Sequence, residues 1–264
     1  MTDHVSVEIR ESITVVTLNR PDKLNALTVE MIQAIADAHR AFAADATQAV
    51  MLIRAEGRYF SAGADLNSGM FPDPDEGGQS GFRAWYRAGT GSMHPTLDAF
   101  EACEKPIVVA HHGPCLGGAL ELSLSCDFRL AAHSARYSLP EIDLGGLPGS
   151  GGMSRLTRLV GPAWARWLAV AGETVNAEQA MTMGLVQAIY PDNSFAEDVM
   201  AFCTRLAGKP REAVAAGKLA IELIADLDRA QGRNVERLTA GSLVMGEEFR
   251  TTVAAVRDRI NRRT

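Results

Sequence analysis

Val5, Val7 and Ile9 alternate with polar neighbours, Ser12 interrupts them and the pattern resumes over 13–18, so the chain opens on a β-hairpin. The polar stretch Asn19-Arg-Pro-Asp-Lys-Leu-Asn25 ends that pattern. Thr28 can then cap a helix whose inward positions Ile32, Ile35, His39 and Phe42 recur at threes and fours. Two apolar runs, 50–53 and 107–110, read as strands; the second turns at Gly113-Pro114. Segment 116–125 reads as a helix, 128–132 and 137–139 as strands, 153–160 as a helix, and 172–186 as a helix followed by a short strand. From Asp192 the pattern is almost wholly helical, over 196–206, 211–227, 229–246 and 247–261. A run of helices after such a core predicts an α/β fold over 1–191 and a smaller helical module over 192–264.

Residues 66–105 resist this reading, because Met70-Phe-Pro-Asp-Pro-Asp-Glu-Gly-Gly78 carries too much proline, glycine and acid for regular structure. The stretch is either a loose surface insertion or a lid whose helical part presents Phe82, Trp85, Tyr86 and Met93 as an apolar wall. Its aromatic content favours the lid.

With 264 residues and 47% hydrophobic content, the chain can bury one sizeable core. A net charge of −6 argues against a nucleic-acid or acidic-membrane surface, so any phosphate must be bound locally. Cys103, Cys115, Cys126 and Cys203 show no CxxC spacing and read as reduced thiols. No run approaches the roughly 18 apolar residues that span a bilayer. The first residues have neither a basic n-region nor an apolar h-region, so a cytoplasmic location is expected.

The candidate chemistry lies between His111 and Gly152. Gly117 and Gly118 would open the helix over 116–125, where main-chain N–H groups lack intrahelical partners, and Glu121 would sit in its first turn. Glu121 is therefore either a dipole-complementing glutamate or a reactive carboxylate. Glu141 adds a second carboxyl ahead of the glycine-rich run 145–152. Two carboxyl groups sharing a water-poor site have their pKa values pushed apart, so one can serve as acid and the other as base. Upstream, Arg58-Tyr-Phe-Ser-Ala-Gly-Ala-Asp-Leu66 follows a strand. If the Ala64 and Gly118 N–H groups point at one spot, they form a donor pair for an oxygen gaining negative charge.

Other chemistries fit less well. Pro148-Gly-Ser150-Gly-Gly152 departs from a nucleophile elbow at its first position, and neither a phosphate-loop nor a dinucleotide-binding glycine motif occurs. No metal site is expected: His39 has no second ligand near it, and adjacent His111 and His112 face opposite ways on a strand.

Asn19-Arg-Pro-Asp-Lys-Leu-Asn-Ala-Leu27, Phe60-Ser-Ala-Gly-Ala-Asp-Leu66, Lys105-Pro106, Gly113 with Leu116-Gly-Gly-Ala-Leu-Glu121, Cys126-Asp127, Pro140-Glu141 and Leu147-Pro-Gly-Ser-Gly-Gly152 stand in order along the chain, followed by Gly161, segment 180–186 and Lys218. Through them the sequence resembles the crotonase, or enoyl-CoA hydratase/isomerase, superfamily over almost its whole length. The resemblance implies a spiral of ββα units with a C-terminal helical module that builds homotrimers or hexamers. It implies hydration of a trans-2-enoyl-CoA to the 3-hydroxyacyl-CoA. Ala64 and Gly118 would hold the thioester oxygen, Glu121 would be the base towards water, Glu141 the acid, and the Gly149 N–H would help to hold the water. No cofactor is implied, since coenzyme A is part of the substrate. Segment 20–27 would lie along coenzyme A, with Arg20, Lys23 and Arg58 either meeting its phosphates or serving as plain surface charges. Asn25, Ala26, Leu27, Ala62, Asp65 and Leu66 complete the expected binding set, Asp65 as a brace for its turn. Residues 67–104 stay open between a loose insertion and a lid over the acyl group.

The family hosts several chemistries. Gly149 stands where dienoyl isomerases carry an aspartate, which favours a hydratase. A Δ3,Δ2-enoyl isomerase is the nearest alternative, and a degenerate coenzyme A- or RNA-binding protein the alternative of another class. The last helix departs from the family pattern, with Thr251-Thr252 and Val256 where a Glu-Gly pair and a Phe are usual. Its Arg257, Arg259, Arg262 and Arg263 read as a solvated tail, because Glu247, Glu248 and Asp258 share the helix.

Overall fold

The computed structural model describes residues 3–68, 78–88 and 93–262. Strands β1 (Val5–Arg10) and β2 (Ile13–Leu18) pair antiparallel, with Glu11 at a positive φ in the turn. β1 is a sheet edge: Val5 is buried, whereas Val7 and Ile9 face solvent. Helix α1 (Val29–Ala44) starts where the pattern placed it, with the Thr28 hydroxyl accepting the Met31 N–H. It crosses over so that β3 (Val50–Ala55) lies parallel to β2.

The stretch expected to be irregular holds two helices, α2 (Gly78–Ala88) and α3 (His94–Ala102). α3 buries Thr96, Leu97 and Phe100, whereas Phe82 on α2 is exposed. Residues 69–77 and 89–92, and the side chains of Trp85 and Tyr86, lie outside the described residues, and most of the lid expectation lies with them.

β4 (Ile107–His111) leads through a turn to β5 (Cys115–Leu116) and α4 (Gly118–Leu124). β6 (Phe128–Ala132), β7 (Arg136–Ser138), α5 (Gly152–Ala169), β8 (Val175–Asn176), α6 (Ala177–Thr182) and β9 (Ala188–Tyr190) complete the repeating turns. β1-β2-β3-β4-β6-β9 form one sheet, parallel except for the opening hairpin, and β5-β7-β8 form a second, smaller one. α5 runs past its predicted end because the chain kinks at Gly161 and resumes helix after Pro162. This is the α/β spiral that the motifs implied.

α7 (Phe195–Ala207) covers one face of the large sheet, setting Phe195, Val199 and Cys203 against Val15, Val50 and Val108. α8 (Arg211–Ile224), α9 (Arg229–Met245) and α10 (Glu247–Asn261) pack mainly on one another. The helices from residue 192 onward therefore divide into one that belongs to the sheet and three that stand apart. Lys218 ties the latter to the core: its ammonium donates to the Phe100 and Lys105 carbonyls at 3.0 and 3.2 Å and to Asp127 at 2.9 Å. No described helix is long and apolar enough to cross a membrane.

Arg129 on β6 fixes the far end of α4. Its buried guanidinium donates to the carbonyls of Ser123, Cys126 and Leu185 at 3.2, 2.5 and 2.8 Å. Removing it leaves these carbonyls, and that of Asp127 at 3.4 Å, without that donor. Arg129→Leu is therefore expected to lower the unfolding free energy by about 3 kcal/mol or more in a urea titration.

Candidate active site

Gly117 caps α4 with φ 53°, a conformation that favours glycine, and a Cβ there would lie 2.9 Å from Glu141 Oε1. Every residue of α4 is buried, so Glu121 in its first turn is held on a rigid support at 4% exposure. Its Oε1 accepts the main-chain N–H groups of Ser150 at 2.6 Å and Gly152 at 3.0 Å. Among the described residues its Oε2 accepts no hydrogen bond. The glycine at 152 is required by contact: a Cβ there would stand 2.7 Å from Glu121 Oε1 and 2.8 Å from its Cγ.

Glu141 sits on the short 3-10 turn Pro140–Leu144 that follows β7. It is half-buried, and its Oε2 is buried without a hydrogen-bond partner. Burial raises its pKa, opposed by its own main-chain N–H. Burial, and then the nearby charge of Glu141, raise Glu121 to about 7; the Ser150 and Gly152 N–H groups and the Arg155 guanidinium oppose that rise. Each carboxyl is thus easier to protonate than a solvated glutamate.

The Ala64 and Gly118 N–H groups are brought together beside this pair. Leu27 donates to the Gly63 carbonyl at 2.7 Å and Asp65 donates to the Leu27 carbonyl at 2.8 Å, a pairing that leaves the Ala64 N–H unused. Neither Ala64 nor Gly118 donates a main-chain hydrogen bond among the described residues. A Cβ on Gly118 would be 3.6 Å from the Ala64 nitrogen and 3.1 Å from the Met93 methyl, so an apolar group closes in on the same spot.

The other sequence candidates divide. Arg20 pairs with Asp65 at 2.7 Å and donates to the Ala26 carbonyl at 3.1 Å, so its charge braces the turn. Asn25 is buried; its Oδ1 accepts the Arg20 N–H, and its Nδ2 donates to the carbonyls of Glu56 and Tyr59. Leu27 pairs with the Gly63–Asp65 segment, and the Ala62 N–H donates to the Leu24 carbonyl. Lys23, Arg58 and Leu66 are exposed, with the Arg58 guanidinium over the Tyr59 ring. Gly149, expected to help hold the water, is exposed in the loop before α5; from the same loop the Ser150 and Gly152 N–H groups meet Glu121, a role that sequence reasoning did not single out.

His111 is buried between the Tyr137 hydroxyl at 3.1 Å and the Ser123 hydroxyl at 3.0 Å, and burial drives its pKa down to about 3. It is a neutral packing residue. The His112 ring meets the Gly57 carbonyl at 2.6 Å. No cluster of metal-ligating side chains occurs among the described residues. A cavity of about 850 Å³ lies between α8 and the core, bordered by Asp127, Gly151, Arg155 and Lys218, with neither glutamate in its wall.

A family model described as enoyl-CoA hydratase/isomerase matches residues 8–259. A crotonyl-CoA hydratase from Syntrophomonas wolfei is 34% identical over 237 residues, 86% of this chain and 85% of its own length. A 2,3-dehydroadipyl-CoA hydratase from Escherichia coli is 33% identical over 254 residues, 96% of this chain and 91% of its own. The solved structure of an enoyl-CoA hydratase from Bacillus anthracis superposes with a TM-score of 0.87 at 27% identity, covering 97% of each chain.

Proposed function

The chain belongs to the enoyl-CoA hydratase/isomerase family of hydro-lyases, and from that membership we propose that it reversibly hydrates a trans-2-enoyl-CoA through Glu121, Glu141 and the Ala64 and Gly118 N–H groups. One observation carries the reading. Glu121 is a buried carboxyl with one oxygen fixed by two main-chain donors and the other open, within electrostatic reach of a second carboxyl beside unused N–H groups.

The thioester oxygen accepts from Ala64 and Gly118 as it becomes enolate-like. Water then bonds C3 while its proton passes to Glu121, and C2 takes a proton from Glu141. The elements of water are added, and one proton has crossed from one carboxyl to the other. A base with a pKa near 7 suits this step, being about half ionised near pH 7 yet basic enough to take a proton. Gly149, from the loop that fixes Glu121, is assigned to the water. Lys23 and Arg58 are assigned to the phosphates of coenzyme A, while Arg20 acts indirectly by holding Asp65. Segment 25–27, Ala62 and Leu66 would border the rest of coenzyme A. No separate cofactor enters. A homotrimer, or a hexamer made from two, would cover Ile221, Leu238 and Met245, which α8 and α9 leave exposed.

Mixing the protein with crotonyl-CoA should lower the enoyl-thioester ultraviolet absorbance to its equilibrium level and yield the 3-hydroxyacyl product. Inertness towards crotonyl-, longer and aromatic enoyl-CoAs, with conversion of a 3-enoyl-CoA to its 2-enoyl isomer, would replace the hydratase reading with the isomerase.

A further inference from the structure

Arg155 belongs to α5 and takes no part in the chemistry above, yet it is built into the support of Glu121. Its Nε and Nη2 form a two-pronged pair with Glu101 at 2.7 Å each, and Nη2 also reaches Asp98 at 2.6 Å. Both acids stand on α3. The remaining arm, Nη1, donates to the Ser150 carbonyl at 3.1 Å. The Ser150 N–H and the Gly152 N–H are the two donors that converge on Glu121 Oε1. Gly151 between them has φ 85°, and a Cβ there would collide with the Arg155 guanidinium. The side chain is 11% exposed, so this geometry is packed rather than solvated.

We propose that Arg155 is a positioning residue for the reaction: its fork, anchored by Glu101 and Asp98, holds peptide 150–152 so that its two N–H groups aim at Glu121. A planar guanidinium suits this task because it meets a carboxylate with two prongs and keeps an arm for the carbonyl. The inference rests on the reading of Glu121 as the base.

The charged groups acting on Glu121 are Glu141 on the 3-10 turn and Arg155 on α5; those acting on Arg155 are Glu101 and Asp98 on α3. These signs give an experiment with opposed outcomes. Glu121 is followed by carbon-13 NMR of its side-chain carboxyl, assigned with Glu121→Gln, so the readout does not depend on activity. Removing the cation with Arg155→Gln should move the Glu121 titration midpoint up by about one pH unit. Removing the anion that offsets it, with Glu101→Gln, should move the midpoint down. Arg155→Lys keeps the charge without the fork: its midpoint should still rise, by less than in Arg155→Gln, because the Ser150 and Gly152 N–H groups are then less well aimed, and a midpoint that stays at the parent value would mean that Arg155 acts through its charge alone.

In both Arg155 variants kcat should fall about 10–100-fold with KM little changed, as when an outer support of a reactive group is lost. Midpoints that stay put, or move the same way in Arg155→Gln and Glu101→Gln while circular dichroism shows folded protein, reduce Arg155 to a tie between α3 and α5. If Arg155→Gln does not fold, Glu101→Gln decides by the same rule. Failure of the hydratase reading looks different: the parent protein would not hydrate enoyl-CoA, whatever the midpoints do.

Discussion

Glu121→Gln is expected to lower kcat for crotonyl-CoA hydration by about 10²–10⁴-fold, the range that a positioned acid or base contributes. The replacement keeps an oxygen that can accept the Ser150 and Gly152 N–H groups, so the loop loses little support. What disappears is the ability to take a proton from water. Glu141→Gln should fall in the same range, and the double variant should lose little more than the worse single one, because the two groups act on one event. A Glu121→Gln enzyme retaining more than a tenth of parent turnover would remove this residue from the chemistry.

The same substitution should act on stability with the opposite sign. Glu121 has a pKa of about 7 in the folded chain and about 4.3 once unfolded, so between those values the folded state binds more protons. Its contribution to stability is therefore greatest below pH 4 and falls as pH rises through 7, by about 4 kcal/mol in all. Glutamine carries no such dependence. Urea titrations at pH 4.5 and pH 8 should show the variant gaining on the parent by up to that amount at the higher pH. The parent keeps an ionisable group where the fold disfavours its charge, as a general base at this position would require.

Periodicity made the scaffold legible. The runs at 50–53 and 107–110 have little freedom other than buried strand, and Thr28 before an amphipathic run can hardly be anything but a cap. α3 is harder to place, because Thr96, Leu97 and Phe100 follow a stretch of proline, glycine and acid, where the sequence leaves a loose insertion and a partly helical lid as alternatives. Within the site, Glu121, Glu141 and the glycines around them stood out because charge in a glycine-rich, otherwise apolar setting is costly. The Ser150 and Gly152 donors did not stand out, since a main-chain N–H has no signature in the sequence. For Arg20 the sequence leaves a phosphate contact and a plain surface charge open: its partner Asp65 is 45 positions away, and an arginine held in a long-range ion pair looks the same in sequence as one facing a phosphate.

Replacing the Ala64 amide with an ester, by placing the α-hydroxy analogue of alanine at position 64, is expected to lower kcat/KM by about 10²–10³-fold. The change deletes one N–H and leaves the side chain, which no ordinary substitution achieves. It also weakens the Gly63 carbonyl as an acceptor for the Leu27 N–H, so some stability is lost with the donor. An ester at position 65 supplies the control. The Asp65 N–H donates to the Leu27 carbonyl in the same short pairing, so its removal costs the turn a hydrogen bond but leaves the Ala64 and Gly118 donors in place. If charge on the thioester oxygen is held by Ala64, the two esters should unfold at similar temperatures and differ in rate by more than tenfold. Equal rates would mean that position 64 supports the turn and nothing more, and the developing charge would then need another donor beside Gly118.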